Sequence, residues 1–295
     1  MTTFFDFSDT AVAELAQADA ARALQEDVGA GDLTAGLIDP ARHAKAYVLA
    51  REAAVICGAP WVQATLTQVD PDIHLIWRVQ EGQRCESDQV VLEIEGSARS
   101  LLTAERTALN FLQLLSAVAT KTATYVDAVN SVPGNKAQIV DTRKTLPGLR
   151  LAQKYAVRTG GGTNHRIGLY DAVLIKENHI AAAGGVTAVL ALATAVAPTA
   201  KFVEIEVETL AQLAEALDAG ATMVLLDNMS LAMLCEAVQI NAGRAILEVS
   251  GGVNLSTVRA IAATGVNRIS IGVLTKDVQA TDFSMRFSTD LTQDV

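Results

Sequence analysis

The chain has 295 residues, half of them hydrophobic, and a formal net charge of −10. That length leaves room for one large domain or two modest ones with a sizeable core. The acidic balance argues against a general nucleic-acid-binding protein, and charges break the apolar stretches before the about 18 residues of a membrane-spanning helix. Three scattered cysteines, and an N-terminus without the features of a signal peptide, lead us to expect a reducing cytoplasm.

The first third of the sequence mixes helices and strands. Apolar residues recur near a period of 3.6 over residues 10–27, which predicts a helix, and the glycine-containing segment 29–34 ends it. A second helix is predicted at 61–68. The strand-length runs are 46–50, 54–57, 74–79 and 90–94. This arrangement predicts an α+β domain.

The rest of the sequence has a different rhythm. Residues 101–130 contain no proline or glycine and predict a long helix. After it, six apolar runs of strand length end in polar or glycine residues, and most are separated by alanine- and leucine-rich stretches of helical length. These runs are 139–144, 172–178, 203–207, 223–228, 246–252 and 269–272. The alternation predicts a parallel α/β barrel, which carries its functional residues at the carboxyl ends of its strands.

Positive charge is concentrated in one part of this acidic chain. Between Asp141 and Glu177 there are seven lysine and arginine residues against three acidic residues, a local net charge of +4. Cations focused in one cleft indicate a small, highly charged anionic ligand. A solvated basic face is the alternative, and the location of these residues at strand ends favours the ligand.

Carboxylates follow the same pattern on two neighbouring strands. Glu204, Glu206 and Glu208 point to one side of their strand, and Asp227 closes the next one. Buried carboxylates need partners, which cations, a metal or ribose hydroxyls can supply. Glu206 and Asp227 could therefore hold Mg²⁺ or polyol hydroxyls. The alternative is an internal ion-pair network that includes Lys176.

Glycines at three loops indicate close approach of the backbone to a ligand. Segments 250–252 and 272–273 each follow a strand, where free backbone N–H groups and a following helix suit a phosphate. The loop 160–162 precedes His165 and Arg166, which offer planar donors for a carboxylate. Taken alone, the glycines could mark ordinary turns, and His165 could be a structural histidine.

These motifs resemble the quinolinate phosphoribosyltransferase family, also called nicotinate-nucleotide pyrophosphorylase (carboxylating). The resemblance covers most of the chain, in order and at plausible spacing. The matching segments are 26–34, 105–110, 141–150, 154–157, 160–166, 174–179, 204–208, 226–228 and 250–252.

The resemblance implies two domains and a reaction. An open-faced α/β sandwich would occupy residues 1–115, joined by the C-terminal tail 276–295, and an incomplete seven-stranded α/β barrel would occupy 116–275. The active protein would be a homodimer in which the N-terminal domain of one subunit helps to close the site of the other. It would convert quinolinate and phosphoribosyl pyrophosphate to nicotinate mononucleotide, pyrophosphate and CO2 with Mg²⁺, a step of NAD biosynthesis.

The resemblance also implies roles for individual residues. The implied catalytic residues are Lys144, Lys176, Glu206 and Asp227, of which the two carboxylates would also hold Mg²⁺, directly, through water or through ribose hydroxyls. The implied quinolinate-binding residues are Thr142, Arg143, His165, Arg166, Lys176 and Arg106 of the partner subunit. The implied binders of phosphoribosyl pyrophosphate are Lys144, Glu206, Asp227, Ser250, Gly251, Gly252, Ile271, Gly272 and Val273.

Two positions depart from the family pattern. Lys276 and Asp277 stand where the family often has His-Ser, although a lysine there can still meet a phosphate as a point charge, and Leu146 stands where threonine is frequent. Three other functions stay open at this stage. They are the paralogous phosphoribosyltransferase of molybdenum-uptake loci, a Schiff-base aldolase that uses Lys176, and a sugar-phosphate-binding protein without enzymatic activity.

Overall fold

The computed structural model describes residues 4–288. The helices are α1 Asp9–Asp27, α2 Ala59–Val69, α3 Ala98–Asn130, α4 Arg150–Thr159, α5 Glu177–Ala183, α6 Val186–Ala193, α7 Leu210–Asp218, α8 Leu231–Asn241, α9 Val258–Ala263 and α10 Val273–Lys276. The strands are β1 His43–Ala50, β2 Ala54–Val55, β3 His74–Trp77, β4 Arg84–Cys85, β5 Val90–Ser97, β6 Gln138–Val140, β7 Val173–Ile175, β8 Val203–Val207, β9 Met223–Asp227, β10 Ile246–Ser250, β11 Arg268–Ser270 and β12 Phe283–Phe287.

The chain divides into two compact units. The described part of the first unit comprises residues 4–121, 147–160 and 277–288, and the second unit comprises 122–146 and 161–276. Within the described range, no helix is both long enough and apolar enough to cross a membrane.

The first unit is built on an antiparallel sheet with the strand order β12–β1–β5–β3. Burial alternates along β1, because successive side chains of a strand point to opposite faces. The buried face packs in one apolar core with α2 and α3, which includes Val48, Leu66, Leu92 and Leu112. The opposite face is more exposed, and Ile76 on it is 53% exposed. One covered face and one open face make this the predicted open-faced sandwich.

The second unit is built on a parallel sheet with the order β6–β11–β10–β9–β8–β7. A single parallel bridge between Val140 and Thr163 adds a seventh strand position beside β6. Residues such as Ile205, Val224 and Leu226 are fully buried, as expected of strands with both faces covered. The predicted α/β class and the parallel sheet are therefore confirmed. Where seven barrel strands were predicted, the sheet has six strands and one isolated bridge.

The register of this sheet brings its functional strand ends together. Ser250 at the end of β10 lies opposite Asp227 at the end of β9, and Glu206 on β8 lies opposite Leu225 on β9. All six strands run in the same direction, so their carboxyl ends share one edge. The side chains singled out from six separate segments of sequence consequently meet at this edge.

Candidate active site

Two adjoining cavities lie at the carboxyl ends of the parallel strands. One has a volume of about 220 Å³ and the other of about 520 Å³. Both are lined by Thr142, Lys144, Lys176, Glu206, Ser250 and Ser270. We call the smaller one the cationic cavity, because Arg143, His165 and Arg166 complete its wall. We call the larger one the glycine cavity, because it includes Gly251, Gly252 and Gly272.

Two arginines give the cationic cavity its charge. Arg143 follows β6, and no described residue accepts a hydrogen bond from its buried Nε atom. Arg166 is only 8% exposed, and its Nη1 donates to the carbonyl of Ala172 at 3.3 Å. Burial lowers the pKa of Arg166, and the charge of Arg143 adds to that effect. The carboxylates of Asp171 and Glu204 oppose this shift, yet the pKa of Arg166 stays lowered, so the carboxylate of a ligand would add negative charge that this buried guanidinium needs.

His165 is held by the protein at three points. Its backbone N–H donates to Asp141 Oδ1 at 2.8 Å. Its ring nitrogen Nδ1 accepts the backbone N–H of Arg166 at 2.7 Å, which places the ring proton on Nε2. Nε2 then donates to Glu204 Oε2 at 2.8 Å. Asp141, which the sequence motif included without a specific role, therefore supports the loop that carries both His165 and Arg166.

A second buried carboxylate lies near the same ring nitrogen of His165. Glu248 Oε1 is 3.4 Å from His165 Nε2 and accepts a hydrogen bond from the Ser270 hydroxyl, while its Oε2 accepts from Arg268 Nε at 2.6 Å. Burial raises the pKa of Glu204 to about 7, although the charge of Arg268 opposes the shift. Burial also raises the pKa of Glu248, and the charge of Glu204 adds to it. Both carboxylates are buried, but neighbouring cations and hydrogen-bond donors compensate their negative charge.

The glycine cavity contains the second pair of predicted carboxylates. Glu206 accepts a hydrogen bond from Lys176 Nζ at 2.8 Å, so an ion pair of the kind that the alternative interpretation of the sequence expected is present. Asp227 Oδ2 accepts from the side chain of Asn228 at 2.7 Å. The backbone N–H of Asn228 donates to the Ser250 carbonyl at 3.0 Å, which ties the ends of β9 and β10 together. Two carboxylates therefore face a space that is also lined by lysines.

Glycine is required at the loop after β10. Gly251 has a φ of +98°, and a Cβ atom there would lie 2.7 Å from Cγ of Asn228. At Gly272, a Cβ would lie 3.1 Å from Cδ of Lys144, so a larger residue would press on that lysine. These close approaches leave backbone groups exposed to the cavity, where they can contact a ligand.

The donor set fits the Mg²⁺ ion that the family resemblance implies. Glu206 and Asp227 are hard oxygen donors that line the same cavity, and Mg²⁺ is usually bound by one or two carboxylates together with substrate phosphates. The three-residue group with metal-ligand spacing in the described part of the chain is instead His165, Glu204 and Glu248. Apart from Glu204 Oε1, the side-chain oxygens and ring nitrogens of this group already take part in the hydrogen bonds described above.

The structure brings nearly all the predicted site residues into these two cavities. The predicted residues that line at least one cavity are Thr142, Arg143, Lys144, His165, Arg166, Lys176, Glu206, Asp227, Ser250, Gly251, Gly252, Ile271, Gly272 and Val273. Arg106 lies on α3 in the first unit. Sequence reasoning missed Glu248, Ser270 and Asn228 as individual site residues. The signal for Glu248 was present, since a single charge interrupts the apolar run of β10.

The fold and the cavities define a parallel α/β protein whose strand ends offer cations, carboxylates and glycine-rich loops to a ligand. Its sequence matches the family models described as "Quinolinate phosphoribosyl transferase, N-terminal domain" over residues 32–116 and "Quinolinate phosphoribosyl transferase, C-terminal domain" over residues 118–286. The chain belongs to the quinolinate phosphoribosyltransferase family.

Individual relatives agree with this assignment. A nicotinate-nucleotide pyrophosphorylase [carboxylating] of Mycobacterium leprae is 43% identical over 271 residues, which cover 90% of this chain and 94% of that protein. A probable enzyme of the same name from Bacillus subtilis is 38% identical, with 88% and 89% of the two chains covered. The structure of nicotinate-nucleotide pyrophosphorylase from Francisella tularensis has a TM-score of 0.89 at 41% identity and covers 94% of this chain and 97% of its own.

Proposed function

We propose that this protein transfers the phosphoribosyl group of phosphoribosyl pyrophosphate to quinolinate with decarboxylation. The products are nicotinate mononucleotide, pyrophosphate and CO2, and the reaction is a step of NAD biosynthesis. The observation that carries the proposal is the pair of adjoining cavities, one cationic and one glycine-lined, which share Lys144, Lys176 and Glu206. A transferase needs such a junction because its two substrates must react where their sites meet.

The cationic cavity suits the dicarboxylate. Quinolinate carries two carboxylates on one small ring, and Arg143 and Arg166 offer two guanidinium groups in a cavity of about 220 Å³. A guanidinium binds a carboxylate through two parallel hydrogen bonds, which fixes the ring as well as holding it. Thr142, His165 and Lys176 complete the proposed quinolinate-binding set within this chain. Arg106 of the partner subunit remains a proposed contributor, and it depends on the proposed homodimer.

The glycine cavity suits the phosphorylated sugar. Transfer builds positive charge on the anomeric carbon of ribose and negative charge on the departing pyrophosphate. Glu206 and Asp227 supply negative charge for the first, and Lys144 supplies positive charge for the second. Ser250 and the loop that follows it would hold the 5′-phosphate through backbone N–H groups. These groups stabilise charge that develops during the reaction, which is how electrostatic catalysis lowers a barrier.

Mg²⁺ is the proposed cofactor, and the residues that would hold it are Glu206 and Asp227. When bound, the ion would neutralise charge on the pyrophosphate.

Decarboxylation makes fewer demands on the protein. Once the ring nitrogen carries ribose it is positively charged. When the bond to CO2 breaks, this charge stabilises the electron pair left on the neighbouring ring carbon, and that carbon then takes up a proton from solvent. The cationic cavity then needs only to orient the carboxylate and exclude water.

The aldolase alternative is disfavoured by a specific contact. A Schiff-base lysine must be a neutral amine to attack a carbonyl. Lys176 Nζ donates to Glu206 at 2.8 Å, an arrangement that suits the ammonium form.

The proposed location stays the cytoplasm, on the basis of the free cysteines Cys57, Cys85 and Cys235.

The proposal is tested by product analysis with a matched pair of variants. The wild type is incubated with quinolinate, phosphoribosyl pyrophosphate and Mg²⁺, and nicotinate mononucleotide is quantified by mass spectrometry. Glu206→Gln should lower kcat by about 10²-fold or more, since it removes a charge that faces the reacting sugar. Glu208→Gln is the control, because Glu208 is exposed and lies outside both cavities. Equal activity of the two variants, or no product from the wild type, would contradict the proposal.

A further inference from the structure

Both ring nitrogens of His165 have partners within the protein. Nδ1 accepts the backbone N–H of Arg166, and Nε2 donates to Glu204. The ring nevertheless lines the cationic cavity, where it packs edge-on against Phe202 at a centroid distance of 5.3 Å. The ring therefore forms part of the cavity wall, while its two nitrogens bind other groups of the protein.

The bond to Nδ1 connects the ring to one of the two arginines of this wall. Arg166 is the next residue, so the direction of its side chain depends on its backbone, and the imidazole holds that backbone at 2.7 Å. The far end of Arg166 is tied to the carbonyl of Ala172. The guanidinium is thus fixed from both ends in the absence of a ligand. A cation held in place in this way binds a carboxylate without an ordering cost.

Glu204 is the residue that selects this ring orientation. It is fully buried on β8, and its Oε2 accepts the Nε2 proton at 2.8 Å. Glu248 cannot easily replace it, since its two oxygens already accept from Ser270 and Arg268 and its Oε1 lies 3.4 Å from Nε2. The second oxygen of Glu204, Oε1, has no hydrogen-bond partner among residues 4–288.

We propose that Glu204 is a positioning residue for quinolinate: it holds His165 in the Nε2–H tautomer, and the ring in turn holds Arg166. His165 thereby links the buried carboxylate on β8 to the direction of the Arg166 guanidinium. This inference rests on the proposed function for the identity of the substrate. Its geometric part concerns only residues of this chain and can be tested without any substrate.

The first test compares two variants of Glu204 by calorimetric titration with quinolinate and by steady-state kinetics. Glu204→Gln keeps an acceptor oxygen for Nε2, whereas Glu204→Leu has a similar size and no acceptor. We expect the leucine variant to bind quinolinate roughly 10- to 100-fold more weakly, the effect of losing one charge-assisted hydrogen bond. The glutamine variant should stay within about threefold of the wild type, and KM for phosphoribosyl pyrophosphate should change little in either.

The second test is ¹⁵N NMR of the His165 imidazole in the wild type, before and after addition of quinolinate. The inference predicts a protonated Nε2 and an unprotonated Nδ1 in both spectra. A proton on Nδ1 would overturn it, and so would equal quinolinate affinity in the two Glu204 variants. Failure of the wild type to bind quinolinate would instead overturn the proposed function, and the tautomer without ligand would still decide the role of Glu204.

Discussion

Replacing Gly251 by alanine should destabilise the protein more than replacing its neighbour Gly252. Both residues have positive φ, +98° and +62°, so an alanine at either position costs roughly 1–2 kcal/mol of backbone strain. A Cβ at Gly252 meets nothing within 4 Å, whereas a Cβ at Gly251 lies 2.7 Å from Cγ and 3.1 Å from the backbone nitrogen of Asn228. Gly252→Ala is therefore a matched control in which only the backbone strain is present.

The additional cost of Gly251→Ala comes from the contacts that Asn228 must give up. Its side chain donates to Asp227 at 2.7 Å, and its backbone N–H donates to Ser250 at 3.0 Å. The first bond is solvent-exposed, so we assign it about 1 kcal/mol, and the second contributes a similar amount. The free energy of unfolding should thus fall by about 1–2 kcal/mol in the control and by about 3–4 kcal/mol in Gly251→Ala.

The assay is urea unfolding followed by far-UV circular dichroism, with all variants at the same pH and salt concentration. The quantity that tests the reasoning is the difference between the two glycine variants, because the backbone strain cancels in it. Equal losses of unfolding free energy in both variants would refute the argument, since the collision with Asn228 would then cost nothing.

Three further predictions concern charge. Because burial raises the pKa of Glu204 to about 7 from 4.5 when unfolded, the folded protein binds more protons between these values, and its stability should fall as pH rises through them, by on the order of 3 kcal/mol. Urea titrations at about pH 5 and about pH 8 should show a smaller fall in Glu204→Gln, and an unchanged fall would count against the burial argument. Arg143→Ala should raise KM for quinolinate roughly 10- to 100-fold. The control, Arg244→Ala, removes a surface ion pair outside both cavities and should leave this KM unchanged. Equal effects of the two substitutions would show that Arg143 does not bind quinolinate. Lys276→His should bind phosphoribosyl pyrophosphate progressively more weakly as pH rises above about 6.5, where histidine loses its charge. The wild-type KM for phosphoribosyl pyrophosphate should stay nearly constant over the same range. Parallel pH profiles of the two proteins would show that Lys276 does not contact the phosphates.

Much of the parallel sheet could be predicted from the sequence because buried strands have a strong local signal. The run ending at Asp227 is apolar over its length and stops at a charge, and the structure has β9 at Met223–Asp227. The same reasoning identified Glu206 and Lys176, which do form an ion pair. The strand-end rule could group these side chains because parallel strands place their carboxyl ends at one edge.

Other features depend on contacts between distant parts of the chain and left no local signal. β12 was not predicted, because its five residues form a strand only by pairing with β1. β4 has two residues and pairs with β2, which is too short for a periodic pattern. The bond between His165 and Glu204 joins residues 39 positions apart. Three same-side glutamates were visible in the sequence, but only the structure shows that Glu204 is buried and Glu208 exposed.

The central claim is that one site joins ribosyl transfer to loss of CO2, and one measurement tests it directly. Quinolinate labelled with ¹⁴C in the carboxyl group beside the ring nitrogen is incubated with the wild type and Mg²⁺, with phosphoribosyl pyrophosphate present or omitted. We predict that ¹⁴CO2 is released only when phosphoribosyl pyrophosphate is present, in a one-to-one ratio to pyrophosphate, because the ring nitrogen must be ribosylated before the carboxylate can leave. Release of ¹⁴CO2 without phosphoribosyl pyrophosphate, or pyrophosphate formation without ¹⁴CO2, would contradict the claim.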